Sequence, residues 1–469
     1  MTRWPFGWLG AAVCAVLAVR LATLGLYPLM DTTEARYGEI ARVMVTSGNW
    51  VTPQLVPGEP FWAKPPLSIW QSAGAIALLG DAAFAARLPA LLNTALTLAL
   101  LAVFAARVVS RPVAGRAALI AVSTLGGFVA AGTVMTDPAL LASLTLTLTS
   151  FWFALHQRGV VWRLVFFASL GLGLLAKGPV ATVLAAGPIG LWTVLQWRWR
   201  EVLALCLWPP GLALAAAVAA PWYLVAEIRT PGFLRYFLVG EHLQRYLQSG
   251  WSGDRYGTAH DEPLGTIWVY ALLACLPWSL VALGVGARAV AVAGPAVRRA
   301  LGRALNQYLL CWALWPLVFF TFAGNILATY VLPGVPAFAL LLAMAVSTWR
   351  ARTVVAVAAV VPLGLVLALT FGLRAHTQTE SQARLLHAVQ RAHPGVPVLY
   401  LRHAPHSARF YSRGTARFLL DSAAVHNAVR DGEPAVLVVR HGDGVDLPLD
   451  TLAVVHADEE YTAFLLPPR

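Results

Sequence analysis

Charge is what this chain has least of. Asp, Glu, Lys and Arg together make up 12% of 469 residues while 58% are hydrophobic, which excludes an ordinary soluble globular protein with about a quarter of its residues charged. Lysine is scarcer still. Only Lys64 and Lys177 are present, so arginine accounts for 32 of the 34 basic residues once those two are set aside. Cysteine is limited to Cys14, Cys206, Cys275 and Cys311, all inside apolar runs, which excludes a disulfide framework and any cysteine metal motif. No small-residue cleavage site follows the first apolar run, so a cleavable signal peptide is not expected. No internal repeat is visible. The net charge of +12 comes without a basic motif or fold signal for nucleic acid, which is excluded as a partner.

What is present is apolar sequence in runs of about 20 residues, the length needed to cross roughly 30 Å of hydrocarbon as a helix. Eleven such runs are expected to span: 8–27, 88–106, 117–133, 138–155, 164–176, 179–195, 202–225, 264–287, 305–322, 326–346 and 353–371. The stretch 66–80 is shorter and lies between proline-rich and acidic flanks, so it is expected to be interfacial or re-entrant. Arginines fix the orientation, because cytoplasmic connections collect them. With the N-terminus cytoplasmic, the inner connections hold Arg107, Arg111, Arg116, Arg158, Arg163, Arg198, Arg200, Arg288, Arg298, Arg299, Arg303, Arg350 and Arg352 against one acid, Glu201. The opposite connections collect the acids, from Asp31, Glu34 and Glu39 through Asp81, Asp137, Glu227 and Glu241 to Asp254, Asp261 and Glu262. An odd number of crossings then places everything after Arg374 outside the cytoplasm. The expected fold class is an α-helical polytopic membrane protein with a small C-terminal α/β domain, divided into residues 1–373 and 374–469.

The long first outer loop, 28–87, carries the densest group of polar candidates. In TEARYGEIARVM, Tyr37, Ile40, Ala41 and Met44 recur at helical spacing, which predicts an amphipathic helix at the membrane surface. Asp31 followed by Glu34 fits a capping box; the same carboxylate at the mouth of the first span also suits a polar substrate group, and the two roles are compatible. Lys64 in FWAKPP and Lys177 in LAKGPV both sit at outer-face positions before proline or Gly-Pro, where a compact ammonium suits a phosphate and snorkelling is the plain alternative. Asp137, in TDPALL, marks a helix start and is a second candidate acid. His242, with Glu241 and Arg245 in EHLQRY, stands among aromatics, and one His with one Glu is a weak metal signal. Arg20 lies inside the first span, where an ionisable group faces protein or a wet cavity.

Taken in order, TEARYGEIARVMVTSGNWVTPQL, FWAKPPLSIW, FAARLPALL, TDPALL, LGLLAKGPV, EHLQRY and LATYVLPGVPAFALL resemble the bacterial polyprenyl-phosphate-sugar-dependent glycosyltransferases of the GT-C fold. The likeness is nearest to the lipid A aminoarabinose transferase group, which is also similar to protein O-mannosyltransferases. This resemblance implies a sugar donor carried on undecaprenyl or another polyprenyl phosphate, an acceptor in the cell envelope, and a bacterial inner-membrane location with a periplasmic catalytic cavity. It implies Asp31, Glu34 and Asp137 as catalytic candidates, and Arg36, Tyr37, Lys64, Lys177, His242, Arg245 and Tyr330 as donor or phosphate ligands. The chain departs from the family pattern in three places. Thr33 stands where an Asp usually precedes the Glu, which leaves the acid between Asp31 and Glu34. Ala63 replaces a Glu before Lys64, so a metal bound through that Glu is not expected; a divalent metal stays open, without support from the loop-one motif, and no other cofactor is implied. Ile326 stands where a Lys often occurs.

After Arg374 the pattern changes to short alternating elements. SQARLLHAVQRAH, ARFYS and SAAVHNAVRD predict helices, while VPVLYL and PAVLVVR predict strands. Eight histidines from His376 to His456, His426 among them, lack metal spacing. Two alternative functions remain open at this point: a protein O-mannosyltransferase-like enzyme, or a transporter or flippase of a polyprenyl-linked sugar. A transporter places its site at the midplane between repeats, whereas here the polar candidates crowd one rim.

Overall fold

The computed structural model describes residues 7–157, 159–248, 251–257, 262–292, 294, 299–300, 302–371, 380–430, 434–443 and 449–466. The expectations placed on Arg158, Asp261, Arg298, His376, the side chain of His426 and the 373/374 division lie outside the described residues.

Proline placement explains several helix boundaries. Among the described residues, seven helices are long and apolar enough to cross a membrane: Ala83–Val108, Asp137–His156, Val160–Lys177, Pro179–Gln196, Pro209–Arg229, Ala328–Ala345 and Ala351–Phe371. Thr266–Ala274 and Trp278–Val292 make an eighth if counted together, bent by 103° where Pro277 interrupts the chain. Gly7–Thr23 and Ala304–Phe320 are apolar but shorter. The expected span at 117–133 divides at Thr124, whose hydroxyl accepts the Gly127 N–H and so starts a new turn, giving Arg111–Ser123 and Leu125–Ala130. The span expected at 202–225 begins later. Pro209 and Pro210 cannot continue Trp199–Cys206 and instead open Pro209–Arg229. Each expected run is therefore helical, while fewer of them form one uninterrupted span of full length. Leu67–Leu79, within the 66–80 stretch, rises only about 20 Å and packs on the first outer loop.

Within that loop the expected helix forms as Thr33–Ser47 and stops at Gly48, whose φ of 68° suits glycine, but it does not lie open at a surface: it is buried on all sides from Tyr37 to Met44, with Phe410 of the C-terminal domain packed on it. The capping-box expectation needs correction. Asp31 does not cap this helix, because its carboxylate bonds Ser407 instead; only Glu34 reaches back, weakly, to the Met30 N–H at 3.4 Å. A two-stranded hairpin, Gln54–Val56 with Glu59–Pro60, turns at Gly58.

The C-terminal part is a five-stranded sheet. Val398–Leu401 pairs in parallel with Arg417–Leu419 and Ala435–Arg440, and Tyr461–Leu466 pairs antiparallel with Ala435–Arg440 and Ala453–Ala457. Helices Ala383–Ala392, His406–Tyr411 and Ser422–Arg430 formed where expected. Three strands, at 417, 453 and 461, were not foreseen. His406–Tyr411 lies directly on Thr33–Ser47, so close that a Cβ on Gly38 would come within 2.6 Å of Leu29 and 3.5 Å of Phe410. That contact sets the C-terminal domain over the first outer loop.

Candidate functional site

Two cavities hold most of the candidates, while Arg36, Tyr37 and Lys64 line neither, and a single stretch of chain lies between the two. The first, of about 360 Å³, has Asp137, Lys177, Glu241, His242, Arg245, Asn325 and Tyr330 in its lining, with Leu140, Val183, Leu184, Phe319 and Phe320 as apolar walls. Lys177 Nζ donates to Asp137 Oδ1 at 2.7 Å and lies 4.6 Å from the centre of the Tyr330 ring. Lys177 ends Val160–Lys177 and Asp137 begins Asp137–His156, so the pair joins the rim ends of two neighbouring helices. Gly178 makes this junction possible. Its φ of +79° suits glycine, and a Cβ there would stand 2.6 Å from Phe237 and 3.1 Å from His242.

His242 sits on a π-helical segment, Tyr236–Gln244. Its Nδ1 lies 2.7 Å from the Phe237 carbonyl and its Nε2 3.2 Å from that of Lys177. Burial holds its pKa below the usual histidine value. A neutral ring has one N–H, and we place it on the shorter contact. Glu241, one residue earlier, is the centre of a charged cluster. Its Oε1 accepts from Lys64 Nζ at 2.5 Å and from Arg245 at 2.8 Å, while Arg245 also reaches Asp254 at 3.5 Å. Burial opposes charge on both Lys64 and Glu241, but their mutual attraction, with Arg245 acting on Glu241, outweighs it: Lys64 is shifted upward and Glu241 downward, so both stay ionised. Among the described residues no group of three His, Cys, Asp or Glu side chains gathers as a metal site.

Arg36 and Tyr37 are not in the lining of this cavity. Arg36 donates to the Tyr256 carbonyl at 2.5 Å and stacks over Tyr37 and Phe61. Tyr37 is buried edge-on against Phe61. Both lie on the loop that carries Lys64, packed on Phe61.

The second cavity, of about 930 Å³, has Arg20, Tyr27, Asp31, Thr33 and Glu34 at its polar end and apolar walls including Phe128, Leu276, Leu280, Val361 and Leu365. Arg20 is buried here, donating to Tyr27 and to the Val129 carbonyl. Gly132 lies against its guanidinium, where a Cβ would come within 2.2 Å. The two loop-one acids differ sharply. Glu34 is saturated: Arg87 grips it with contacts of 2.9 and 2.6 Å, and the Val134 N–H adds a third at 3.0 Å. Asp31 takes both its bonds from Ser407. Burial raises its pKa, and the Ser407 hydroxyl and N–H partly reverse that rise.

Sequence reasoning passed over Arg87 and Ser407 as site residues, and weighed Glu241 only as a weak metal signal, not as the anchor of Lys64 and Arg245. Arg87 carried a legible signal, an arginine within the apolar FAARLPALL. Ser407 carried none, since its partner lies 376 residues away.

Residues 9–237 match the family model described as dolichyl-phosphate-mannose-protein mannosyltransferase. A protein of Pseudomonas savastanoi pv. phaseolicola named undecaprenyl phosphate-alpha-4-amino-4-deoxy-L-arabinose arabinosyl transferase is 31% identical over 337 residues, covering 71% of this chain and 60% of that protein. One from Pseudomonas fluorescens, carrying the same name with the number 2, is 32% identical over 339 residues, covering 71% and 58%. The chain thus spans about three-fifths of the length of these curated relatives. The crystal structure of ArnT from Cupriavidus metallidurans bound to undecaprenyl phosphate aligns with a TM-score of 0.77 over 98% of both chains at 21% identity, a likeness of fold. In sequence this multi-pass membrane protein is similar to the undecaprenyl phosphate-aminoarabinose transferases and, over residues 9–237, to the protein mannosyltransferase family, and it shares the fold of ArnT.

Proposed function

We propose that the chain is a glycosyltransferase that moves a sugar from undecaprenyl phosphate, or a similar polyprenyl phosphate, to a lipid A-like or other envelope acceptor at the periplasmic face of the bacterial inner membrane. The observation that carries this is the first cavity, where cationic Lys177 and Arg245 meet a wall of Leu140, Val183, Leu184 and Phe319. That combination suits a phosphate borne on a hydrocarbon chain. The relatives' name supports a pentose donor.

In this mechanism the bond from the anomeric carbon to the phosphate oxygen breaks, and negative charge grows on the departing lipid phosphate. Lys64, Lys177, Arg245 and Tyr330 stabilise it. Glu241 keeps Lys64 and Arg245 in place before the phosphate arrives, and Arg36 and Tyr37 brace the loop that carries Lys64. His242, tied by its one N–H to the Phe237 carbonyl, packs beside the Lys177 end of Val160–Lys177. The acceptor approaches from the second cavity, where Asp31 orients or deprotonates its nucleophile, and attack from the face opposite the phosphate inverts the anomeric centre. Asp137 fixes Lys177. An acceptor that is itself an ionised phosphate needs no strong base. Residues 1–373 form the catalytic unit and 374–469 a periplasmic domain that holds Asp31.

The test is transfer in proteoliposomes of the purified chain, supplied with undecaprenyl-phosphate-linked sugar and lipid A and followed by product mass. Donor binding without any glycosylated product would sink the enzyme reading and favour a transporter.

A further inference from the structure

A third cavity, of about 600 Å³, adjoins the second across Tyr27 and opens on a different set of side chains. Its floor is Gly25–Pro28, just past the end of Gly7–Thr23, and Asp81–Ala83, at the start of Ala83–Val108. It therefore lies where two apolar helices leave the bilayer. Its roof is the C-terminal domain: Arg384, His387 and Gln390 share one face of Ala383–Ala392, and Arg413 follows His406–Tyr411. Arg384 and Arg413 come from separate elements, and neither guanidinium has an ion pair or hydrogen bond among the described residues. The only acid in the lining is Asp81. On the membrane side of the same place, Leu26, Leu78 and Leu79 are 69%, 85% and 53% exposed.

We infer that this cavity binds the phosphate of a membrane lipid headgroup, seated between Arg384 and Arg413 with its acyl chains along Leu26, Leu78 and Leu79. Two planar guanidinium forks suit the oxygens of a phosphodiester. A soluble phosphate would satisfy the arginines but leave the leucines uncovered, and a neutral lipid would do the reverse. The bound lipid pins the C-terminal domain to the bilayer at a second point, beside the Leu29 N–H bond to the Tyr411 hydroxyl at 2.6 Å. This site does not depend on the chemistry proposed for the other two cavities.

The test is native mass spectrometry of the full-length chain in detergent, titrated with dioleoylphosphatidylglycerol or with dioleoylglycerol, which has the same chains and no phosphate. The wild type should hold one more phosphatidylglycerol than Arg384→Ala/Arg413→Ala, with affinity at least about tenfold stronger at that step. Arg384→Lys/Arg413→Lys should keep part of the difference. Dioleoylglycerol should show none, and inorganic phosphate should not displace the lipid. Equal phosphatidylglycerol binding by wild type and the alanine variant overturns the inference, as does equal retention of dioleoylglycerol. Displacement by inorganic phosphate assigns the arginines to a free anion and also overturns it.

Discussion

Ser407 satisfies both oxygens of Asp31 at once: its N–H lies 3.0 Å from Oδ1 and its hydroxyl donates to Oδ2. The contact is anchored inside the C-terminal domain, because the same hydroxyl accepts the Gln382 N–H at 3.0 Å and Gln382 in turn accepts from Tyr400 at 3.2 Å.

Removing the hydroxyl therefore has a signed effect. Burial raises the Asp31 pKa and Ser407 pulls it back, so Ser407→Ala should raise it further and move the acid limb of the kcat/KM profile to higher pH. Asp31→Asn should cut turnover at least about tenfold. A Ser407→Ala profile superimposable on wild type removes Ser407 from the mechanism, whereas normal turnover by Asp31→Asn removes Asp31 itself.

Lys64→Met should fold and transfer poorly. A charge-assisted contact to the departing phosphate is worth roughly 1.5 to 3 kcal/mol, about ten- to a hundredfold in rate. Lys64→Arg should recover part of it, since a planar fork does not reproduce a compact ammonium. Turnover of the purified variant at saturating donor decides this; wild-type turnover in Lys64→Met would reduce the lysine to a partner of Glu241.

Glu34→Gln tests the other loop-one acid by stability instead of rate. It would leave Arg87, which has no solvent exposure, without its ion-pair partner, a loss of about 3 to 5 kcal/mol. The expected outcome is a large fall in folded yield and melting temperature, with little change in turnover per folded molecule. A stable but inactive variant would make Glu34 catalytic.

His406 makes the junction between the C-terminal domain and loop one sensitive to acid. Burial, with Arg36 and Arg409 adding to it, pushes its pKa from 6.5 to about 4. A depressed folded-state value stabilises the fold above the unfolded pKa, and that contribution, about 3 kcal/mol, is lost as pH falls from about 6.5 toward 4. Hydrogen exchange in Ala383–Ala392 should accelerate over that range in wild type and less in His406→Gln. Identical pH dependence in both would clear His406 of the effect.

A reporter fused after Arg374 should be active only outside the cytoplasm, given the arginine-rich inner connections. Cytoplasmic activity would mean an even number of crossings, with Leu67–Leu79 the first helix to reconsider.

The sequence announced what depends on local chemistry. Apolar runs, the helix in TEARYGEIARVM and the strand in PAVLVVR were legible because each carries its own period. Lys177 and Asp137 were both visible, but their 2.7 Å pairing was not, since it depends on how Asp137–His156 packs against Val160–Lys177. The strands at 417, 453 and 461 were missed because ARFLL is short and the edge strand Ala453–Ala457 is largely exposed, leaving little alternation to read. The placement of Asp31 was the largest surprise: a local capping pattern lost to a partner beyond the last span.

The stretch from Val129 to Asp137 touches both the first and the second cavity: Val129 and Thr133 line the second, Asp137 the first, and the Val134 N–H is tied to Glu34. It acts as a party wall. An occupant that shifts this wall from one side alters the shape presented to the other, and thermodynamic linkage makes the influence mutual: whatever factor the first guest applies to the second's affinity, the second returns.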